Sequence, residues 1–204
     1  TVAQQVAEEL AGALKGTSMT VSSVEDKPYS RKPYAPFMTS TLQQEAGRKL
    51  RFTSARTMRI AQRLYENGHI TYMRTDSTSL SQQGLSAARA AATELYGAEY
   101  VADKPRIYDR KVKNSQEAHE AIRPAGERFA TPGQLSKVLD AEEFKLYELI
   151  WQRTVASQME NARGNSTKVT VAGDFDTEFA ATGRTITFPG FLKAYVEVSA
   201  LSDG

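Results

Sequence analysis

The chain has 204 residues, 40% of them hydrophobic and 25% charged, enough for one large domain or two small ones. It contains no cysteine, which excludes disulfides and thiolate chemistry. No apolar run approaches the roughly 20 residues that a bilayer span needs, and no signal peptide is visible. Both ends read as cuts in a longer chain. The formal net charge is +2, but it is unevenly spread. Residues 27–75 carry ten Lys/Arg against two acids, a local charge of +8 that leaves −6 for the remainder. A basic block in an otherwise acidic chain is the footprint expected of a phosphate-binding face, although a solvated helix face would also account for it.

In chain order, residues 2–15 read as an amphipathic helix with Val2, Val6, Leu10 and Leu14 on one side and Gly16 as its stop. Residues 17–25 alternate like a strand. Residues 27–36 hold three prolines and read as an extended connection and a domain boundary. Thr39 to Thr41 can cap a helix carrying Leu42, Ala46 and Leu50. After the turn Arg51-Phe52, Thr53 or Ser54 caps a second helix with Met58, Ala61, Leu64 and Tyr65 as its apolar positions, closed by Asn67-Gly68. Its polar positions carry Arg56, Arg59, Gln62 and Arg63. Residues 69–74 then alternate like a strand. This order is that of a helix-turn-helix with a wing-like strand, a pattern that any two short helices can imitate.

Ser79 or Ser81 caps a helix running to Gly97. Residues 100–117 read as a polar loop, and Thr131-Pro132 begins a short helix. Asp140 and Glu143 form a capping box for a long helix through Trp151 to Met159. Residues 167–171, 175–181, 185–188 and 194–198 read as antiparallel strands turned at Gly173, Gly183 and Gly190. The expected class is α+β. A β-rich domain would be built from residues 1–35 and 162–204, with a mainly helical, winged-helix (CAP-like) domain of residues 36–161 inserted between them.

The chemistry concentrates in His69-Ile-Thr-Tyr-Met-Arg-Thr-Asp-Ser-Thr78. A phenol, with a pKa of about 10, needs help to attack a phosphodiester. In a strand Tyr72 and Arg74 would share a face, with Cβ atoms about 6–7 Å apart, so both could reach one phosphate. Arg suits that role because its fork grips phosphate in a bidentate way. Thr71, Thr75, Asp76, Ser77 and Thr78 add short hydrogen-bonding groups. Chemistry alone leaves Tyr72 a minority candidate, since a strand Tyr is usually core or surface.

Residues 70–78 resemble the active-site signature of the type IA DNA topoisomerases, in the bacterial topoisomerase I branch. Further segments agree in order. Ala35-Pro-Phe-Met-Thr-Ser-Thr-Leu-Gln-Gln44 resembles the lead into that family's tyrosine domain, and Met58 to Gly68 the helix before the tyrosine. Glu117-Ala-His-Glu-Ala-Ile-Arg-Pro124 resembles its histidine loop, and Leu149-Ile-Trp151 its long helix. The resemblance spans roughly residues 17–200.

It implies that Tyr72 attacks single-stranded DNA, holds the 5′-phosphate while a strand passes, and then reseals the break. The supercoil relaxation of the parent enzyme follows from that cycle. Arg74 would steady the scissile phosphate. His119 would contact DNA, and Gln62, Arg63 and Arg59 would touch the bound strand, with Thr75 and Asp76 beside the site. Arg123 would either line the same cleft or brace the loop through Glu117 or Glu120. His69 stands where the family often has Tyr and is given no role.

The family's acidic Mg²⁺-binding domain, called Toprim, finds no counterpart here. Asp174-Phe-Asp-Thr-Glu178 has a suggestive spacing but reads as a turn and an exposed strand face. The expectation is therefore an incomplete part of a cytoplasmic, nucleoid-associated bacterial enzyme, with the arch and tyrosine domains. Mg²⁺ would be held by the missing domain and none by this part. Its partners would be DNA and the remaining domains, with no membrane. The competing reading is a non-catalytic winged-helix DNA-binding module. A relaxase would need three His where only His69 and His119 exist. A tyrosine recombinase would attack duplex DNA with several Arg/His partners.

Overall fold

A computed structural model describes residues 2–108 and 120–200. The chain mixes helices with one sheet, and its contacts divide it into two units.

The first unit comprises Thr1–Ser30 and Arg163–Phe188. It holds α1 (Val2–Leu14) and a three-stranded sheet of order β1-β2-β3, formed by β1 (Thr20–Arg31), β2 (Ala162–Gly173) and β3 (Thr177–Phe188). β2 and β3 form an antiparallel hairpin whose register runs from Gly173 opposite Thr177 to Gly164 opposite Ile186. At the irregularity between Arg163 and Gly164, a side chain on Gly164 would strike the Thr185 carbonyl oxygen at 1.9 Å, so only glycine fits there. Asp174-Phe-Asp176 forms the hairpin turn, with Phe175 and Asp176 both in the left-handed region and exposed, and Thr177 and Glu178 begin β3.

Three sequence expectations change in this unit. β1 runs on through Pro28 and Tyr29, which had read as a connection. Proline is tolerated because β1 is an edge of the sheet. The two strands expected at 175–181 and 185–188 are one strand, with Gly183 inside it rather than at a turn. A side chain at Gly183 would meet open space, so that glycine marks no crowding.

The second unit comprises Arg31–Ala162 and Pro189–Gly204. It holds α2 (Thr39–Leu50), α3 (Ser54–Glu66), α4 (Gln82–Tyr96), the short α5 (Pro132–Leu135), α6 (Ala141–Ala156) and α7 (Lys193–Ala200). α6 is its central post. Leu146, Tyr147, Ile150, Trp151 and Val155 are fully buried, packed with Leu42 of α2 and Ile60 and Leu64 of α3. The capping box expected for α6 is present: Asp140 Oδ1 accepts from the Glu142 and Glu143 amides at 2.9 and 2.8 Å, and Glu143 accepts from the Asp140 amide. Thr53 caps α3 and Ser81 caps α4.

Residues 194–198, expected as a strand, are helical in α7. Val196 and Val198 suggested a strand. Burial of Phe191 and Ala194, three residues apart, in the core of this unit selects the helix instead. α2 starts one residue early, at an N-cap position filled by Met38, which frees the Thr39 side chain for another use.

Candidate active site

The segment carrying Tyr72 is not a strand. Its only ladder contact among the described residues is the single bridge from Ile70 to Pro124. The shared face of a strand therefore does not explain how Tyr72 and Arg74 are displayed. Backbone and side-chain groups from distant parts of the chain hold the segment open instead. On one side, the Thr71 amide donates to the Arg123 carbonyl at 2.9 Å and the Thr71 hydroxyl donates to the Ala121 carbonyl at 2.8 Å. The Arg123 amide donates back to the Thr71 hydroxyl at 3.0 Å. On the other side, the Thr39 hydroxyl donates to the Met73 carbonyl at 2.7 Å, and the Thr75 amide donates to that hydroxyl at 2.9 Å. Further along, the Thr78 hydroxyl donates to the Tyr108 carbonyl at 2.6 Å.

This lacing buries Ile70 and Met73 and leaves Tyr72, Arg74 and Asp76 exposed. Tyr72 is 50% accessible. Its ring meets that of Tyr65 edge-on, with centroids 5.2 Å apart and planes at 67°, a geometry that limits the swing of the phenol. Arg74 and Arg59 are exposed and have no ion-pair partner among the described residues.

The rest of the basic block is partly neutralised from within. Arg63 pairs with Asp140 at 2.9 Å and with Glu143 at 2.9 Å, and Arg56 pairs with Glu142. Arg48 and Lys49 both reach Glu45. Gln62 donates to Glu66 at 2.8 Å. A count of charges along the sequence could not see this, because the acids that face α3 lie more than 75 residues away, on α6 and its cap.

Arg123 is only 3% exposed. Its guanidinium donates to Glu120 at 2.6 Å, to the Pro124 and Gly126 carbonyls at 2.8 and 3.1 Å, and to Gln83. Of its two anticipated roles, this geometry is that of the brace, through Glu120. Glu120 in turn accepts from the Ser81 amide and hydroxyl at 2.8 and 2.6 Å, tying the loop to the start of α4. Gly84 makes room for the pair, since a Cβ there would lie 2.8 Å from Arg123 and 2.9 Å from Glu120. His119 and Glu117 lie outside the described residues.

Burial pushes the Glu120 carboxyl up, but the bonds from Arg123 and Ser81 and the Arg123 charge outweigh it and hold the pKa below its ordinary 4.5. A carboxylate with a depressed folded pKa stabilises the fold fully above its unfolded value. That stabilisation is lost as pH falls through the lower folded value. Glu120→Gln should therefore lower the melting temperature at pH 7. The gap between variant and wild type should close as pH drops below about 4. A gap that stays constant down to pH 3 would show that the charge on Glu120 contributes nothing.

The family resemblance implies Mg²⁺. Among the described residues, no group of three or more His, Asp or Glu is arranged to hold a metal ion. Asp174, Asp176 and Glu178 occupy an exposed hairpin. The described residues do not fit the ion.

Comparison with known proteins decides the family. The family model described as DNA topoisomerase matches residues 1–203. The chain belongs to this family. It is 67% identical over 192 residues to DNA topoisomerase 1 of Mycolicibacterium smegmatis, a match covering 92% of this chain and 20% of that protein. It is 53% identical to DNA topoisomerase 1 of Synechococcus elongatus, over 96% of this chain and 22% of that protein. The solved structure of full-length topoisomerase I from Thermotoga maritima matches with a TM-score of 0.78 at 38% identity, covering 93% of this chain and 32% of that one. The chain thus spans about a fifth of the length of these curated relatives. No helix among the described residues is long and apolar enough to cross a membrane.

Sequence reasoning missed two parts of this site. Tyr65 read only as an apolar position of a helix, and Thr39 only as a helix cap. No local signal points from either to Tyr72, because both contacts depend on the chain closing back on itself.

Proposed function

We propose that this chain is the tyrosine-bearing part of a type IA DNA topoisomerase and that Tyr72 is its nucleophile. The observation that carries the proposal is the display of Tyr72 and Arg74, both exposed, on a non-strand segment pinned from two sides. In the reaction, the phenol oxygen forms a bond to phosphorus and the bond from phosphorus to the 3′ oxygen breaks. That oxygen leaves as a 3′-hydroxyl, and the 5′-phosphate stays on Tyr72. Resealing reverses these steps. The substrate is a single-stranded segment, as the family resemblance implies.

Arg74, with no ion-pair partner among the described residues, is available to neutralise the charge that grows on the phosphate oxygens. Thr75 and Asp76 flank it. Arg59, exposed and without an ion-pair partner among the described residues, can contact the DNA backbone. Gln62 can do so with the groups that Glu66 leaves unused, whereas Arg63 must give up one of its two acids first. His119 contacts DNA near the scissile phosphate. Arg123 acts from behind by holding the loop rather than by touching DNA.

The helical unit fits the role of a winged-helix tyrosine domain and the sheet unit that of an arch domain. Mg²⁺ and its ligands belong to the rest of the enzyme, which works in the bacterial cytoplasm at the nucleoid. The alternative, a non-catalytic DNA-binding module, lacks a reason to display an exposed tyrosine and an exposed arginine two residues apart on one pinned segment.

Two assays test this. The isolated chain, with or without Mg²⁺, should leave supercoiled DNA unrelaxed. The same chain within its full-length enzyme should become covalently linked to the 5′ end of a cleaved, end-labelled oligonucleotide. Relaxation by the isolated chain would overturn the view that it is incomplete. An adduct on any residue other than Tyr72, or at a 3′ end, would overturn the mechanism.

A further inference from the structure

Thr39 makes an unusual set of contacts for a residue in the first turn of a helix. Its hydroxyl does not cap α2. It donates to the Met73 carbonyl at 2.7 Å, lies 3.1 Å from the Thr75 carbonyl and accepts from the Thr75 amide at 2.9 Å. Its own amide donates to the Thr75 carbonyl at 2.9 Å. One residue thus satisfies peptide groups on both sides of Arg74, starting from the residue next to Tyr72. α2 itself is anchored by Leu42 and Ala46, both fully buried in the core of the same unit. The Tyr72 segment lacks a strand ladder, so this fixed hydroxyl stands in for one.

We infer that Thr39 is a positioning residue for strand cleavage, clamping the backbone from 73 to 75 so that Tyr72 and Arg74 reach one phosphate together. The inference rests on the reading of Tyr72 as nucleophile. A hydroxyl suits the task because it donates and accepts at once. Valine has the same shape with neither capacity, and serine keeps both. A misplacement of about 1 Å in a reacting group can cost on the order of 100-fold in rate, so losing the clamp should show in catalysis before it shows in binding.

The test uses the full-length enzyme as wild type, Thr39→Val and Thr39→Ser, with an end-labelled single-stranded oligonucleotide. Expected for Thr39→Val is an oligonucleotide Kd within about 2-fold of wild type and a rate of Tyr72 adduct formation lower by about 10- to 100-fold. Thr39→Ser should restore most of that rate. In the wild-type protein the Thr75 amide should exchange slowly with solvent deuterium, and in Thr39→Val it should exchange fast. The inference fails if Thr39→Val cleaves at the wild-type rate, if Ser falls as far as Val, or if Kd weakens in step with the rate. It also fails if the Thr75 amide of the folded wild type is unprotected, a result that needs no variant to fold. If the wild type forms no Tyr72 adduct, the nucleophile reading itself is lost. If wild type and Thr39→Val form it equally, only the clamp is lost.

Discussion

Tyr72→Phe in the full-length enzyme should abolish the covalent DNA adduct, a loss on the order of 10⁴-fold or more, as expected when a nucleophile is removed. The change deletes one oxygen from a half-exposed side chain and leaves the ring against Tyr65. No hydrogen bond of the Tyr72 hydroxyl to another described residue is given up. Melting temperature and oligonucleotide affinity should therefore match wild type, with only bond breakage lost. Gel detection of the end-labelled protein–DNA adduct, alongside thermal melting, checks both halves. An adduct persisting in Tyr72→Phe would end the case for Tyr72 whatever the melting curve shows. Arg74→Ala should be distinguished from it by slowing cleavage without eliminating it, because Arg74 balances charge and forms no bond.

The second large effect is on stability. Arg123→Ala should cost about 2–4 kcal/mol, which for a unit of this size is a fall of roughly 5–15 °C in melting temperature. The guanidinium is almost wholly buried and serves Glu120, Gln83 and two carbonyls. Truncation removes the donor shared by all of them and leaves Glu120 with only its bonds from Ser81. The cost stays below that of a fully buried ion pair because Glu120 keeps some contact with water. If Arg123 instead served mainly to touch DNA, Arg123→Ala would melt like wild type and would lower the dependence of DNA binding on salt by about one ion. Thermal melting and a salt titration of oligonucleotide affinity separate the two outcomes.

The local chemistry of the chain decided a good deal by itself. Capping boxes and helix stops act within a few residues. The starts of α3, α4 and α6 and the ends of α3 and α4 were therefore legible from Thr53, Ser81, Asp140, Asn67 and Gly97. The run from Ile70 to Thr78 carried the family, since a residue pattern needs no coordinates to be recognised. The mixture of helices with a small sheet also followed from the strand-like runs read at residues 17–25 and 167–188 beside the helical periodicities.

What lay beyond the sequence depends on partners far apart along it. Pro28 inside β1, the continuity of β3 through Gly183 and the helix at Lys193–Ala200 were decided by sheet pairing and by burial of Phe191 and Ala194. The basic helix face lost much of its charge to acids on and before α6. The residue types around Tyr72 alternate as in a strand, but burial does not: Ile70 and Met73, three positions apart, are buried while Tyr72 and Arg74 are exposed. The chain imposes that pattern with hydroxyls and carbonyls spanning 34 to 52 positions, from Thr39 on one side and Ala121 and Arg123 on the other. Composition and spacing determined which residues could do chemistry. Only the closed tertiary structure, by satisfying the backbone of an irregular segment from both sides, decided how Tyr72 and Arg74 are presented.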